Sequence, residues 1–324
     1  MFYPLVFQPR FKARVWGGRE LERLYGKKLP AGQPIGEAWE VSDRPGDASV
    51  VVNGPFAGQD LRWLMEQYAG EILGDAKPSA DGRFPLLCKI LDARERLSLQ
   101  VHPPTGNCKE LKGEPKTEMW FIADASPGAC LYVGLKAGVT RAKFEMKIAD
   151  GTVADCFHRL PVSVGDTMFL PSGRVHAIGQ GLVIFEIQQN SDTTYRVFDW
   201  NRVGLDGKPR ELHIAQSLAS IDFNDFEPEL VATSFAADGL VQKRPLVIDP
   251  LFNVAVWKLD HGTKGALKAK KLQIVAVTEG NMAVEHGPTS VNLSAGEFCL
   301  VPASLAKTEV SSHSGASFLH VEAN

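Results

Sequence analysis

No stretch of this chain approaches the roughly twenty consecutive apolar residues that a membrane-spanning helix requires, which excludes a helical membrane protein. Cysteine is scarce. Cys88, Cys108, Cys130, Cys156 and Cys299 are odd in number and without close pairs, which argues against both a disulfide framework and a thiolate zinc site. An excess of one charge is also lacking. A net charge of -3 and a pI near 6.3 give no general attraction to nucleic acid or to anionic membrane, so neither is expected as a partner. Any anionic ligand must then be held by local groups. The first fourteen residues mix aromatics, prolines and positive charges without an apolar run or a small-residue cleavage site, so no secretion signal is expected. A reducing cytoplasm fits these absences.

What is present is a chain of 324 residues, 44% apolar and 23% charged, long enough for one large or two unequal domains with a substantial core. The spacing of Leu61, Leu64, Met65 and Tyr68 behind Asp60 predicts a capped helix within 58–73. From Phe84 the apolar pattern changes to period two. Residues 84–91 and 97–102 read as adjacent strands, 116–123 as another, 140–149 as a helix capped by Thr140, and 152–158 as a second short helix. Further strands are expected at 162–171 and 182–188, with helical spacing at 211–220. The acidic, proline-bearing segment 222–229 marks a boundary. It divides a larger unit, 1–224, from a smaller one, 225–324, which holds strand-like runs at 252–259, 272–278, 290–293, 298–301 and 317–321. Many short strands separated by Gly and Pro turns, with a few helices inserted, predict a mainly β fold of the sandwich or jelly-roll type.

An internal echo sharpens this. Val164-Gly165-Asp166-Thr167-Met168-Phe169-Leu170-Pro171 is mirrored by Ser294-Ala295-Gly296-Glu297-Phe298-Cys299-Leu300-Val301-Pro302, which predicts two related barrels. Five residues past the proline stand His176 in the first copy and Lys307 in the second. Only the first barrel is expected to hold a metal.

Side chains alternate along a strand, so Ser98, Gln100 and His102 share one face. With a carboxylate from Glu118 and an imidazole from His176 they compose a divalent-metal site: two imidazoles, a carboxylate and an amide oxygen. Zinc suits that set; manganese, iron(II) and cobalt also suit it. Gln100 is the weakest donor, because its neutral amide could equally satisfy a buried hydrogen bond. Lys116 lies two residues before Glu118 and so faces the same lumen.

Beyond these residues the chain resembles the type I mannose-6-phosphate isomerases, specifically the shorter bacterial form, over nearly its whole length. The resemblance rests on Val15-Trp16-Gly17-Gly18, Ile35-Gly36-Glu37-Ala38-Trp39-Glu40, Leu99-Gln100-Val101-His102-Pro103, Lys116-Thr117-Glu118-Met119-Trp120, Gly165-Asp166 to His176, and the run from Glu186 to Arg196. It implies two cupin barrels, one zinc ion per chain, a sugar phosphate as substrate, and interconversion of mannose 6-phosphate and fructose 6-phosphate by proton transfer between C1 and C2. The family's metal ligands fall on Gln100, His102, Glu118 and His176. Its active-site lysine falls on Lys116, although Thr117 stands where many members have proline, and its arginine on Arg196; Glu186 and Asp192 match further polar positions of the cleft. Glu186 could be a second acid-base group or a partner that orients a ligand. For Asp192 and Arg196, four apart, the residues alone also allow a structural ion pair across a helical turn. Trp16, Trp39 and Trp120 could stack on sugar or pack in the core. Arg94, Arg96, Lys89 and Lys109 are available to grip phosphate. An isomerase of another sugar on the same scaffold, or a sugar-binding cupin without catalysis, are the competing readings.

Overall fold

The computed structural model describes residues 2–324. Strands make up 42% of it and helices 12%, so the helices are insertions into a β framework. Two large antiparallel sheets, beside a two-stranded ladder of Phe7–Gln8 with Val50–Val51, form the larger unit. One has six strands in the spatial order Thr167–Leu170, Glu118–Ala125, Leu182–Gln189, Leu86–Ala93, Ile35–Val41, Arg10–Gly18. The other has five, in the order Tyr195–Phe198, Leu99–Val101, His176–Ile178, Cys130–Leu135, Phe157–Pro161. Their inner faces meet in an apolar cluster that joins Trp120, Ile122 and Ile184 of the first to Leu131, Val133 and Ile178 of the second.

Leu86–Ala93 and Leu99–Val101, expected to be adjacent, belong to different sheets: the turn between them carries the chain from one layer to the other. The helix Leu61–Leu73 starts where Asp60 accepts from the Trp63 amide at 2.8 Å, and Arg141–Ala149 where Thr140 accepts from Lys143 at 3.2 Å. Residues 152–158 are not a second α-helix. One 3-10 turn, Val153–Cys156, gives way to the strand Phe157–Pro161, because Phe157 pairs with Leu135 in a β-ladder. The helix Ile214–Ser220 begins later than its spacing suggests, since His213 is engaged with both backbone groups of Arg196.

A nine-stranded sheet takes in the strands from Ala236–Asp238 to Ala316–Ala323. Its strands Phe252–Leu259 and Phe298–Val301 match the alternation. Residues 272–278 extend into one long strand, Gln273–His286, bent where the ladder is irregular after Val277 and where Gly280 takes φ 77. Val241–Ile248, Thr263–Ala266 and Glu309–Ser312 complete the sheet and were not signalled by the pattern.

The echo is structural. Gly165 and Gly296 take φ 89 and 84, and the acid after each accepts from a serine amide three residues earlier at 2.7 Å, Asp166 from Ser163 and Glu297 from Ser294. Each acid residue's carbonyl then receives the amide of Ile122 or Val277, which sets equivalent strands against equivalent partners.

The largest core cluster crosses from one sheet system to the other, uniting Leu5, Ala38, Leu64 and Phe185 with Leu300, Leu319 and Val321. Leu5 and Leu300 exchange backbone hydrogen bonds of 2.8 and 2.9 Å. Among the described residues no helix is long and apolar enough to cross a membrane, and all five cysteines are free and buried.

Candidate metal centre and active-site cleft

Strand register explains why residues so distant in sequence meet. Gln100 is the direct partner of His176 across one ladder and of Arg196 across the other, which makes a transverse row His176, Gln100, Arg196 on the five-stranded sheet. Glu118 opens the strand Glu118–Ala125 of the opposing sheet, between Leu170 and Gln188. The lumen between the sheets thus receives donors from both walls.

His102, Glu118 and His176 are 0–1% exposed, and their ligand-type atoms all lie within 4.8 Å of one another. Each imidazole has its Nδ1 against a backbone carbonyl, His102 on Thr193 at 2.7 Å and His176 on Arg174 at 2.9 Å. A carbonyl only accepts, so Nδ1 carries the proton and Nε2 presents a lone pair. These Nε2 atoms stand 3.6 and 3.3 Å from the two oxygens of Glu118. Two unprotonated nitrogens cannot donate to that carboxylate. His102 Nε2 and Glu118 Oε1 are buried without a hydrogen bond, while Glu118 Oε2 is met by the Lys116 ammonium, a costly arrangement that a divalent cation would relieve. The donor set therefore fits the expected metal. Gln100 fits less directly: it turns its amide nitrogen toward His176 Nε2 at 3.3 Å, so serving as a fourth donor requires the amide to turn over.

Burial, with the Lys116 ammonium nearby, presses His102 down to about 4, and burial also lowers His176; both are neutral at neutral pH. Burial alone would raise Glu118, but the Lys116 ammonium holds it well below the ordinary carboxylate range. The reverse holds for Lys116. Burial disfavours its charge, yet Glu118 Oε2 at 2.9 Å, with Glu186 and Asp192 beyond, raises its pKa. The net shift of Lys116 is upward in this arrangement.

A cleft of about 580 Å³ opens above this group, and Gln100, Lys116, Glu186, Asp192 and Arg196 all line it. The His-Glu-His group lies behind Gln100 and Lys116. Glu186 has both oxygens engaged: one faces Lys89 at 3.0 Å and the other accepts from Trp120 Nε1 at 3.0 Å. Trp120 in turn sets its ring edge-to-face on His176, with centroids 5.3 Å apart. Asp192 is exposed at the mouth, with no hydrogen bond or ion pair among the described residues. The Asp192 to Arg196 ion pair is absent. Arg196 sits on the strand Tyr195–Phe198, not on a helical turn, and donates to the Glu211 carbonyl at 2.8 Å.

Of the three tryptophans only Trp16 lines the cleft; Trp39 lies under the ammonium groups of Lys12 and Lys89. Among the basic residues considered for phosphate, Lys89 reaches the cleft, Arg96 stacks on Trp200, and Arg94 and Lys109 are exposed elsewhere. Arg14, Glu37, Ser98 and Arg210 also line the cleft. Glu37 would be raised by burial, but Arg14 at 2.7 Å and Lys89 bring it down to about 2. Ser98 was signalled by sharing the face of Gln100 and His102. Lys89 was signalled by standing alone in an apolar strand. Arg14 and Arg210 had no local signal.

Comparison with known proteins gives a consistent result. A family model for the catalytic domain of type I phosphomannose isomerase matches residues 5–119, and one for the mannose-6-phosphate isomerase cupin domain matches residues 243–320. The mannose-6-phosphate isomerase of Streptococcus mutans is 35% identical over 303 residues, 93% of each chain. That of Bacillus subtilis is 34% identical over 323 residues, 98% of this chain and 99% of its own. A crystal structure of mannose 6-phosphate isomerase from Bacillus subtilis superposes with a TM-score of 0.90 at 29% identity, with both chains fully covered. A putative mannosephosphate isomerase from Archaeoglobus fulgidus, at 22% identity and a TM-score of 0.76 over 99% of this chain and 98% of its own, shares the fold.

Proposed function

The chain belongs to the type I mannose-6-phosphate isomerases, and from that premise we propose how its residues divide the interconversion of mannose 6-phosphate and fructose 6-phosphate. Gln100, His102, Glu118 and His176 hold one divalent ion, zinc by the mixture of nitrogen and oxygen donors, though manganese, iron(II) or cobalt meet the same donors. When bound, the ion supplies Lewis acidity toward the sugar oxygens at C1 and C2, where negative charge develops as a proton leaves carbon.

The protein's own groups do the rest. Lys116, at the junction of cleft and donors, carries a proton to and from the oxygens at C1 and C2. Asp192 is the carboxylate with both oxygens uncommitted, and it takes and returns the proton between C1 and C2. Glu186, tied to Lys89 and Trp120, positions Trp120 against His176 and so fixes the imidazole plane. Arg196 has a buried Nε without a partner and no carboxylate within ion-pair distance among the described residues, so its guanidinium is open to the phosphate. The catalytic unit is residues 1–224, and 225–324 is a cupin-like unit without metal ligands. Five free cysteines suit a cytoplasmic enzyme.

The convergence of two Nε2 lone pairs on one buried carboxylate carries this reading. Incubation with fructose 6-phosphate, followed for mannose 6-phosphate with and without a chelator, tests it. Turnover that a chelator abolishes and added zinc restores is expected; turnover indifferent to the chelator would remove the metal from the scheme.

A further inference from the structure

Arg196 is one of three guanidinium groups gathered at one end of the cleft. Asp199, 5% exposed, accepts from Arg202 Nε at 3.0 Å and from Arg210 Nε and Nη2 at 2.6 and 2.5 Å. The chain between Asp199 and Arg202 turns sharply, closed by the Arg202 amide on the Asp199 carbonyl at 3.2 Å. Both central residues, Trp200 and Asn201, are left-handed with φ 57 and 54, a conformation that side chains with a Cβ adopt at a cost. That cost is met by contacts that pin the turn: Trp200 Nε1 donates to the Leu97 carbonyl at 2.6 Å, and Arg202 Nη1 to the Arg96 carbonyl at 2.6 Å. Beyond the turn the chain runs along the cleft through Leu205 and Asp206 to Arg210, which lines it together with Arg196.

We propose that Asp199 is a positioning residue for the phosphate end of the substrate: it holds Arg210 beside Arg196 so that two guanidinium forks face the cleft, with Arg202 bracing them from behind. Three cations against one carboxylate leave a surplus of two positive charges, close to the charge of a phosphate monoester dianion. Asp206 and the exposed Glu211 temper that surplus at the rim, but Asp206 accepts from the Lys208 amide and neither forms an ion pair with the three arginines. Burial, and then the neighbouring Arg210, disfavour the charge on Arg196, the signature of a cationic cluster short of an anion. Forks already fixed in place lose little freedom on binding, and that is what a buried carboxylate behind them supplies. Without it, Arg202 and Arg210 repel one another and Arg210 swings into solvent.

The inference rests on Arg196 receiving the phosphate, and the experiment keeps the two apart. In the metal-loaded enzyme, Asp199→Asn should raise KM for fructose 6-phosphate and the inhibition constant of inorganic phosphate together, each by about tenfold, the equivalent of roughly 1.4 kcal/mol. The loss should appear in KM rather than in kcat, with metal content unaltered, and Asp199→Glu should recover part of it. Arg210→Gln, a change at a partly exposed loop residue, should move both constants in the same direction. A parallel fall in kcat and metal content with an unchanged phosphate constant would reduce Asp199 to a structural role. If Arg196→Gln raises the phosphate constant while Asp199→Asn and Arg210→Gln do not, the positioning role fails alone. If Arg196→Gln also leaves it unchanged, the phosphate reading fails with it.

Discussion

The two barrels share a turn, a strand register and little of their chemistry. In the first, Leu170 and Gln188 flank Glu118 across the ladders; in the second, Val301 and Glu322 flank Gln273 in the same way. Gln273 thus stands where the first barrel has Glu118. By the same register His320 stands where the first barrel has Glu186. The second barrel therefore owns a glutamine, a histidine and a glutamate, yet they are spent on one another. His320 Nε2 meets Gln273 Oε1 at 2.8 Å, Gln273 Nε2 donates to the Lys268 carbonyl at 2.7 Å, and the Lys268 ammonium sits 2.8 Å from Glu322. In the first barrel His102 Nε2 and Glu118 Oε1 have no hydrogen bond, and Glu118 Oε2 meets only the Lys116 ammonium. A similar inventory of residue types makes a polar plug in one barrel and an open donor set in the other; unsatisfied atoms, rather than residue types, distinguish them.

The largest effect that could break this contrast comes from His176→Ala. It should remove the ion and at least about three powers of ten in turnover together, since the ion's Lewis acidity is worth several kcal/mol; full metal content by elemental analysis would refute the ligand assignment. Lys116→Ala should keep the ion while turnover falls by roughly two to four powers of ten. Near-normal turnover would take Lys116 out of the mechanism. In the second barrel His320→Ala should leave metal content and turnover unaltered and lower unfolding stability by about 1–3 kcal/mol in urea, the cost of stranding a buried partner. A loss of metal from that variant would mean that the plug is a site after all.

The smallest effect is a pH dependence. Burial lowers His320 to about 3, so between there and the ordinary value of 6.5 the unfolded chain binds a proton that the folded chain refuses. Stability from this group is whole above about 6.5 and declines as pH falls toward about 3, at up to roughly 1.4 kcal/mol per pH unit. His320→Gln should flatten the stability curve between pH 6.5 and 5 relative to wild type. Parallel curves would show that the imidazole is solvated.

Much of this was legible in the residues because local rules governed it. Period two located Phe252–Leu259 and Phe298–Val301, Asp60 and Thr140 announced their helices, and the alternation of Gln100 and His102 placed two donors on one face. The remainder depended on pairing across the fold. That 86–93 and 99–101 part into opposite layers is decided by their partners, not by their composition. Phe157 leaves a helical turn for a ladder because Leu135 is waiting for it. Asp192 and Arg196 looked like a helical pair, but Arg196 is claimed by the ladder with Gln100. Arg14 and Arg210 come to the cleft from opposite ends of the larger unit, a proximity that spacing along the chain cannot encode.

The strand Ile35–Val41 serves both halves of the molecule. Glu37 turns to the cleft, Ala38 enters the core shared with Leu300 and Val321, and Glu40 pairs with Lys27 at 2.7 Å in a cavity bounded by Glu297 and Phe298. Such a party wall cannot be stripped on one side and stand on the other. Heating should give a single calorimetric peak in which both barrels melt together, and a chain cut short before Ala236 should aggregate, its remaining half naked along the seam where its neighbour lay.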